Sequence, residues 1–230
     1  MSTQKKSRKI IIRAIGILIL LIAISLLIYY GLEYQKYLTE QENNRQIVAV
    51  ASRDGASAEQ KQQAEGKDET ENPDAFKNYQ AKPDEPRAIY VDKLNIKART
   101  LPMGVNPDGS MQAPINIFDA GWYTGAAKPG QKGVSVVVAH ASGSTREGLF
   151  AYIDKLDVGD VVRIERGDGQ IFEYKVNYKT TTPLDSINMT ELLKPRAGEE
   201  GLNLMTCGGS WDAARKTYDQ RIMIFTERIK

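Results

Sequence analysis

The chain contains one cysteine and one histidine, Cys207 and His140, and each directly follows a run rich in apolar residues. A thiolate is a strong nucleophile, and a nearby imidazolium or guanidinium lowers the pKa of a thiol. Imidazole can also deliver a proton to a leaving amine. Arg221 opens a third apolar run, RIMIF, and offers fixed donors to an oxyanion or to substrate carbonyls. These residue types together suit a cysteine-dependent acyl transfer.

Each of these residues also has an alternative interpretation. A lone cysteine in an apolar run is more often a small buried residue than a nucleophile, and a lone histidine is more often a hydrogen-bonded structural residue. Arg215 and Arg228 are nearby alternatives to Arg221. Gly208 and Gly209 follow the cysteine and would let a substrate backbone approach closely. Residue type and position at the ends of apolar runs therefore favour a reactive site without establishing one.

Composition excludes several kinds of site. One cysteine cannot form an intramolecular disulfide, and one Cys with one His cannot supply the three or four ligands of a Cys/His zinc site. An all-carboxylate metal site stays possible from the composition, but no loop has the spacing of a calcium-binding loop. We expect no cofactor and no metal. The net charge is +2, but five of the 31 basic residues precede Glu33, the first acidic residue. The rest of the chain therefore carries 26 basic and 29 acidic residues. This acidic remainder predicts no nucleic-acid partner.

A membrane anchor is predicted near the N-terminus. No charged residue occurs from Ala14 to Leu32, a length close to the ~20 apolar residues of a spanning helix. The basic residues lie before this stretch, which predicts a cytoplasmic N-terminus and an extracellular remainder; they are Lys5, Lys6, Arg8, Lys9 and Arg13. A cleaved signal peptide is the alternative, although its apolar region is usually only ~7–15 residues long. We expect a single-pass protein of the cell membrane.

The domain organisation follows from composition. Residues 1–32 form the cytoplasmic tail and anchor, residues 33–85 an extracellular stalk, and residues 86–230 a folded domain. The stalk begins with a stretch, 33–50, that can continue as a helix. From Ser52 to Pro83 apolar residues are sparse, and such a segment buries too little surface to offset its ordering entropy. We therefore expect a mobile stalk there.

The folded domain has the pattern of a mostly β protein. Short runs rich in Val, Ile, Tyr and Phe are separated by Gly, Pro, Asp and Asn. Residues 161–178 read as a hairpin whose turn, Gly167–Gly169, tolerates positive φ. Short helices or turns are expected at 149–153 and 187–193. Many short strands with few helices predict a closed barrel or a sandwich; further strands are expected at 88–91, 133–140, 202–206 and 221–226.

The residues around this site resemble the sortase family. The segment Asn203–Cys207, NLMTC, is similar to the sortase TLxTC signature, and YDQRIMIF resembles the strand that carries the sortase arginine. Ala139–Ser142 resembles the histidine segment, and residues 120–140 are most similar to class F. The separations of 67 and 14 residues along His140, Cys207 and Arg221 also fit. The chain departs from the family pattern at Asn203, Ala139 and Ser142.

The resemblance implies a closed eight-stranded β-barrel and a cysteine transpeptidase. Cys207 would attack the Thr–Gly amide of an LPxTG-like sorting signal, forming a thioester. His140 would protonate the leaving amine, Arg221 would stabilise the oxyanion or orient substrate, and Thr206 would contact substrate. The partners implied are sorting-signal proteins and an amine acceptor such as a cell-wall precursor, joined outside the cell.

Three other functions stay open from the sequence. An L,D-transpeptidase usually carries a His shortly before its Cys, and this chain has none between residues 141 and 230. A non-catalytic β-domain for binding or adhesion would bury Cys207. A sortase-like pilin polymerase also fits the sequence, although no N-terminal lid motif is evident.

Overall fold

The computed structural model describes residues 2–229, and for residues 2–14 it describes the backbone alone. The chain divides into two compact units, residues 1–46 and 47–230.

The N-terminal unit belongs to one long helix, α1, Ser2–Ala51. From Ile15 onward this helix is long and apolar enough to cross a membrane, judged by length and composition. Its large apolar side chains are exposed, as in Leu27 and Ile28, which suits contact with lipid. The predicted helical continuation of the anchor past Glu33 is confirmed. The basic side chains of residues 5–13 lie outside the described side chains, so the predicted orientation stays a prediction.

The second unit contains a closed eight-stranded barrel, as predicted. Its hydrogen-bonded order is β1-β2-β3-β4-β7-β8-β6-β5, with β2–β3 and β4–β7 parallel and the other neighbours antiparallel. Three short helices accompany it: α2 (Ala58–Ala64), α3 (Ala75–Asn78) and α4 (Met189–Leu192). The strands are β1 Pro86–Val91, β2 Ile96–Met103, β3 Ala120–Tyr123, β4 Gly133–Val138, β5 Val161–Arg166, β6 Ile171–Pro183, β7 Glu200–Asp212 and β8 Thr217–Arg228.

Strand β4 is buried on both faces, which explains its unbroken apolar sequence. Val137 packs in the main core, whereas Val136 packs in a second cluster that includes Leu192 of α4. A strand buried on both sides has no polar face, so apolar residues do not alternate along it. This burial fixes β4, and with it the position of the residues that follow its C-terminal end.

The predicted hairpin is present as β5 and β6, whose turn has Gly169 at φ +83°. The predicted short helical segments are also present: a turn and a 3₁₀ helix follow residue 149, and α4 lies within 187–193. Strands β7 and β8 extend beyond the predicted ranges, 202–206 and 221–226. They form a long two-stranded ribbon that includes the residues after Cys207. This ribbon belongs to the candidate site.

The segment before the barrel differs from the mobile stalk that its composition predicts. Residues 57–71, here called the strap, begin with a capping box at Ser57 and Gln60 and pack Ala64 fully out of solvent. Asp68 then forms a β-bridge with Asn116. Further along, Arg87 of β1 donates to the carbonyls of Phe76 and Tyr79. Backbone pairing and polar contacts, rather than apolar burial, hold this segment to the barrel.

Candidate active site

Cys207 lies in β7 directly opposite Arg221 of β8. Side chains of paired residues on antiparallel strands point to the same face, about 5 Å apart at Cβ. Cys207 is a free cysteine of intermediate exposure. The register of the barrel therefore places two of the predicted site residues, Cys207 and Arg221, at facing positions.

The two glycines after Cys207 are required by the packing of the ribbon. A Cβ on Gly208 would lie 2.7 Å from Cγ1 of Ile222. Gly209 has φ +78°, and a Cβ there would collide with the carboxylate of Asp219. That carboxylate accepts from the backbone N–H of Ser210 at 2.8 Å, within an irregular stretch of the β7–β8 ladder. Internal packing thus accounts for both glycines, whatever approaches the cysteine.

His140 follows β4, the parallel neighbour of β7. The register pairs Val138 with Met205, so His140 and Cys207 each lie two residues beyond this pair in their own strands. Thr206 joins the two strand ends, because its buried hydroxyl donates to the carbonyl of Ala139 at 2.8 Å. The barrel therefore brings the ends of both strands together, and Thr206 holds them there.

The imidazole of His140 makes its hydrogen bond to the backbone and not to the cysteine. Its Nε2 lies 2.7 Å from the carbonyl oxygen of Pro114. A carbonyl only accepts, so Nε2 carries the proton and Nδ1 is the nitrogen left for proton exchange. Between residues 2 and 229 we find no hydrogen bond or ion pair joining His140 to Cys207.

Arg221 is held by the backbone around it. Its guanidinium donates to the carbonyls of Tyr218 and Gln220 at 2.9 and 2.8 Å and to the Thr217 hydroxyl at 3.0 Å. These bonds fix the guanidinium with a positive charge near Cys207. The alternatives have other partners: Arg215 pairs with Asp185 and Asp212, and Arg228 pairs with Glu200. Of the three arginines, Arg221 is the one paired with the cysteine.

Both candidate reactive groups favour their neutral forms in this arrangement. Burial raises the pKa of the Cys207 thiol, and the Arg221 charge and a Thr217 hydrogen bond oppose that rise. Burial lowers the pKa of His140, and the bond to Pro114 opposes that fall. Desolvation disfavours the charged form of each group. Burial thus opposes formation of a thiolate–imidazolium pair at both groups.

Sequence reasoning did not identify Thr217, Pro114 or Gly66, which contact the predicted site residues. Gly66, in the strap, lies against the His140 ring: a Cβ there would be 3.0 Å from Cε1 and 3.2 Å from Nδ1. Pro114 contributes a backbone carbonyl, which carries no side-chain signal. Thr217 stands four residues before Arg221, and only the β7–β8 register places it near the cysteine. These contacts follow from the fold.

A cavity of about 400 Å³ lies elsewhere, with walls that include Thr70, Phe76, Lys97 and Tyr152. None of His140, Thr206, Cys207 or Arg221 lines it. Among the described residues, no group of three or more His, Cys, Asp or Glu could hold a metal ion.

Comparison with known proteins gives the family. Residues 89–229 match the sequence profile of the sortase domain, a stretch that spans β1 to the end of β8. The chain belongs to the sortase family. It is thus a cysteine transpeptidase with the closed eight-stranded β-barrel of that family. A search of curated proteins found no match.

Solved structures resemble this sortase in fold. Clostridium perfringens sortase D5 shares 21% identity at a TM-score of 0.47, covering 70% of this chain and 91% of that one. Actinomyces oris sortase C-1 shares 20% at 0.48, covering 70% and 85%. Corynebacterium diphtheriae sortase A shares 18% at 0.46, covering 62% and 60%. The resemblance of residues 120–140 to class F stays a separate, finer prediction.

Proposed function

We propose that this sortase cleaves an LPxTG-like sorting signal between Thr and Gly and transfers the acyl group to an amine. The product would be a surface protein joined to a cell-wall precursor or another amine acceptor. The observation that carries the proposal is the placement of the chain's one thiol opposite a fixed guanidinium, with its one imidazole at the end of the adjacent strand.

In the proposed reaction, the Cys207 thiol gives its proton to Nδ1 of His140, and the sulfur bonds to the carbonyl carbon of the Thr–Gly amide. The Arg221 guanidinium stabilises the oxyanion or orients the substrate carbonyl. His140 donates a proton to the departing glycine nitrogen as the C–N bond breaks, which leaves a thioester. The incoming amine then attacks the thioester, His140 takes its proton, and that proton passes to the sulfur as the C–S bond breaks, which restores the thiol. No redox change occurs.

Two further assignments belong to this proposal. Residues 120–140 favour class F, and this stretch includes all of β3 and β4, the strand that leads to His140. The apolar part of α1 supports a membrane anchor, and the basic residues before it favour an extracellular catalytic domain. The substrate contact predicted for Thr206 stays a prediction; its hydroxyl bonds to Ala139 in this structure.

The test is incubation of the full chain in detergent with a peptide containing LPxTG, followed by mass spectrometry of the intact protein. We expect an acyl adduct on Cys207, absent from Cys207→Ala. His140→Ala and Arg221→Ala should each reduce turnover by roughly 10²–10⁴-fold, the range for loss of proton transfer or oxyanion stabilisation. A folded protein that forms no adduct and leaves the peptide intact would refute the assignment. A non-catalytic binding domain would give that result.

A further inference from the structure

The register of the β7–β8 ribbon shifts just beyond the pair formed by Cys207 and Arg221. Two consecutive residues of β7 lie there opposite one residue of β8, Asp219. An extra residue on one strand of an antiparallel pair bends that strand and increases its local twist. The bend explains how Thr217, four residues before Arg221 in β8, comes within hydrogen-bonding reach of the Cys207 side chain.

Tyr218 fixes this bent end of the ribbon. Its hydroxyl lies 2.7 Å from the hydroxyl of Ser142, two residues after His140, so these two groups share a hydrogen bond. Its ring meets the Trp211 ring edge to face, with 5.5 Å between the centroids. Because Thr217 immediately precedes Tyr218 in β8, these contacts also limit where the Thr217 side chain can lie.

The Thr217 hydroxyl bridges the guanidinium and the sulfur. Nη2 of Arg221 donates to Oγ1 of Thr217 at 3.0 Å. A guanidinium only donates, so this bond uses a lone pair of the oxygen and leaves the hydroxyl proton for another acceptor. A second hydrogen bond joins the Thr217 and Cys207 side chains, and it opposes the rise that burial causes in the pKa of the thiol. The hydroxyl therefore donates to the sulfur.

The same bridge leaves part of Arg221 available to a substrate. A guanidinium has five N–H donors. Within residues 2–229, Arg221 uses Nη1 for the carbonyls of Tyr218 and Gln220 and Nη2 for Thr217. The Nε–H and one Nη2–H therefore remain as donors for the oxygen of a tetrahedral intermediate.

A donor at the sulfur acts whenever the sulfur carries negative charge, because hydrogen bonds to charged acceptors are the stronger ones. In the proposed reaction the sulfur is charged as it attacks the amide and again as the C–S bond of the thioester breaks. In the thioester itself it is neutral. The bond is thus strongest where stabilisation lowers a barrier. Thr217 keeps its own proton throughout, since the thiol proton passes to His140.

The residue type suits this role. Threonine is branched at Cβ and has few χ1 rotamers, so its hydroxyl stays directed. We propose that Thr217 is a further catalytic residue of this sortase, whose hydroxyl accepts from Arg221, donates to the Cys207 sulfur and leaves two guanidinium donors for the substrate oxygen. This inference rests on the proposed function for its effect on turnover. The bond to the sulfur can be measured without any substrate.

The experiment follows alkylation of Cys207, the only sulfhydryl group in the chain. Full-length protein in detergent is treated with iodoacetamide across a range of pH, and the rate is read by mass spectrometry. Thr217→Val and Thr217→Ala both remove the hydroxyl, the first with the branched shape kept, whereas Thr217→Ser keeps the hydroxyl. Thr181→Val is the matched control, because Thr181 is an exposed strand residue paired with Ile222.

We expect Thr217→Val and Thr217→Ala to shift the rate profile to higher pH and to react roughly tenfold more slowly below its midpoint, the factor for one hydrogen bond to a charged group. Thr217→Ser should stay within about threefold of the native rate, since it keeps the donor on a less restricted side chain. Thr181→Val should react at the native rate. Turnover of the sorting-signal peptide should follow the same order.

A native alkylation profile in both hydroxyl-free variants would overturn the proposal, and so would an equal loss in Thr217→Ser or in Thr181→Val. Slower alkylation of Thr217→Val with native turnover in an active enzyme would also overturn it. Slower alkylation with no turnover in any protein, including the native one, would instead refute the proposed substrate and leave the bond to the sulfur standing.

Discussion

The Arg221 charge should control the reactivity of Cys207. Paired side chains lie about 5 Å apart at Cβ, so we take about 6 Å between the guanidinium and the sulfur. At an effective dielectric constant of about 20, a unit charge at about 6 Å contributes roughly 3 kcal/mol. Solvent at this partly exposed site screens part of this energy, and about half of it corresponds to a factor of about ten in an equilibrium constant. Arg221→Gln should therefore raise the pKa of the thiol.

Thiol alkylation measures this directly, because Cys207 is the only sulfhydryl group in the chain. Iodoacetamide reacts with the thiolate, so the rate rises with pH through the pKa of the folded protein. Burial already raises that pKa, and the Arg221 charge opposes the rise. Removing the charge should shift the rate profile to higher pH and slow alkylation about tenfold below its midpoint.

Two further variants separate charge from geometry. Arg221→Lys keeps the charge but loses the three-acceptor arrangement, so alkylation should stay near the native profile while peptide turnover falls. Arg215→Gln removes a charge whose partners are Asp185 and Asp212, and it should leave the profile unchanged. A native alkylation profile in Arg221→Gln, or the same shift of the profile in Arg215→Gln, would refute control of Cys207 by the Arg221 charge.

Three other predictions test the supports of the site. Thr206→Val removes the buried bond to Ala139 and should lower the free energy of unfolding by about 1–3 kcal/mol; an unchanged denaturation midpoint would contradict this. Gly209→Ala should destabilise more than Gly169→Ala, since both have positive φ but only the first methyl meets another group; chemical denaturation compares them, and equal losses would count against the packing argument. Burial lowers the pKa of His140 from 6.5. As the pH falls below that value, His140 therefore binds a proton more readily in the unfolded chain than in the folded chain. The free energy of unfolding should therefore fall more from about pH 7 to pH 5 in the native protein than in His140→Gln, and parallel urea curves would refute this.

The strands that carry the site could be predicted because their sequences are dominated by burial. The run before His140 is apolar on both faces of β4, and the runs at Cys207 and Arg221 enter the same cores. Strand β3 has only four residues, too few for a periodic pattern, and β2 ends in Leu-Pro-Met. Neither strand was predicted, since their pairing depends on the closed barrel more than on local sequence.

The strap could not be predicted, for a different physical reason. Its composition indicates disorder because a segment with few apolar residues buries too little apolar surface to offset its ordering entropy. The strap buries almost no apolar surface. Its partners are backbone groups at Pro114 and Ile115 and a turn at Thr145, roughly 50 to 80 positions along the chain. Such contacts require the barrel to exist first. The same is true of the His140 bond to Pro114, which ends at a backbone oxygen.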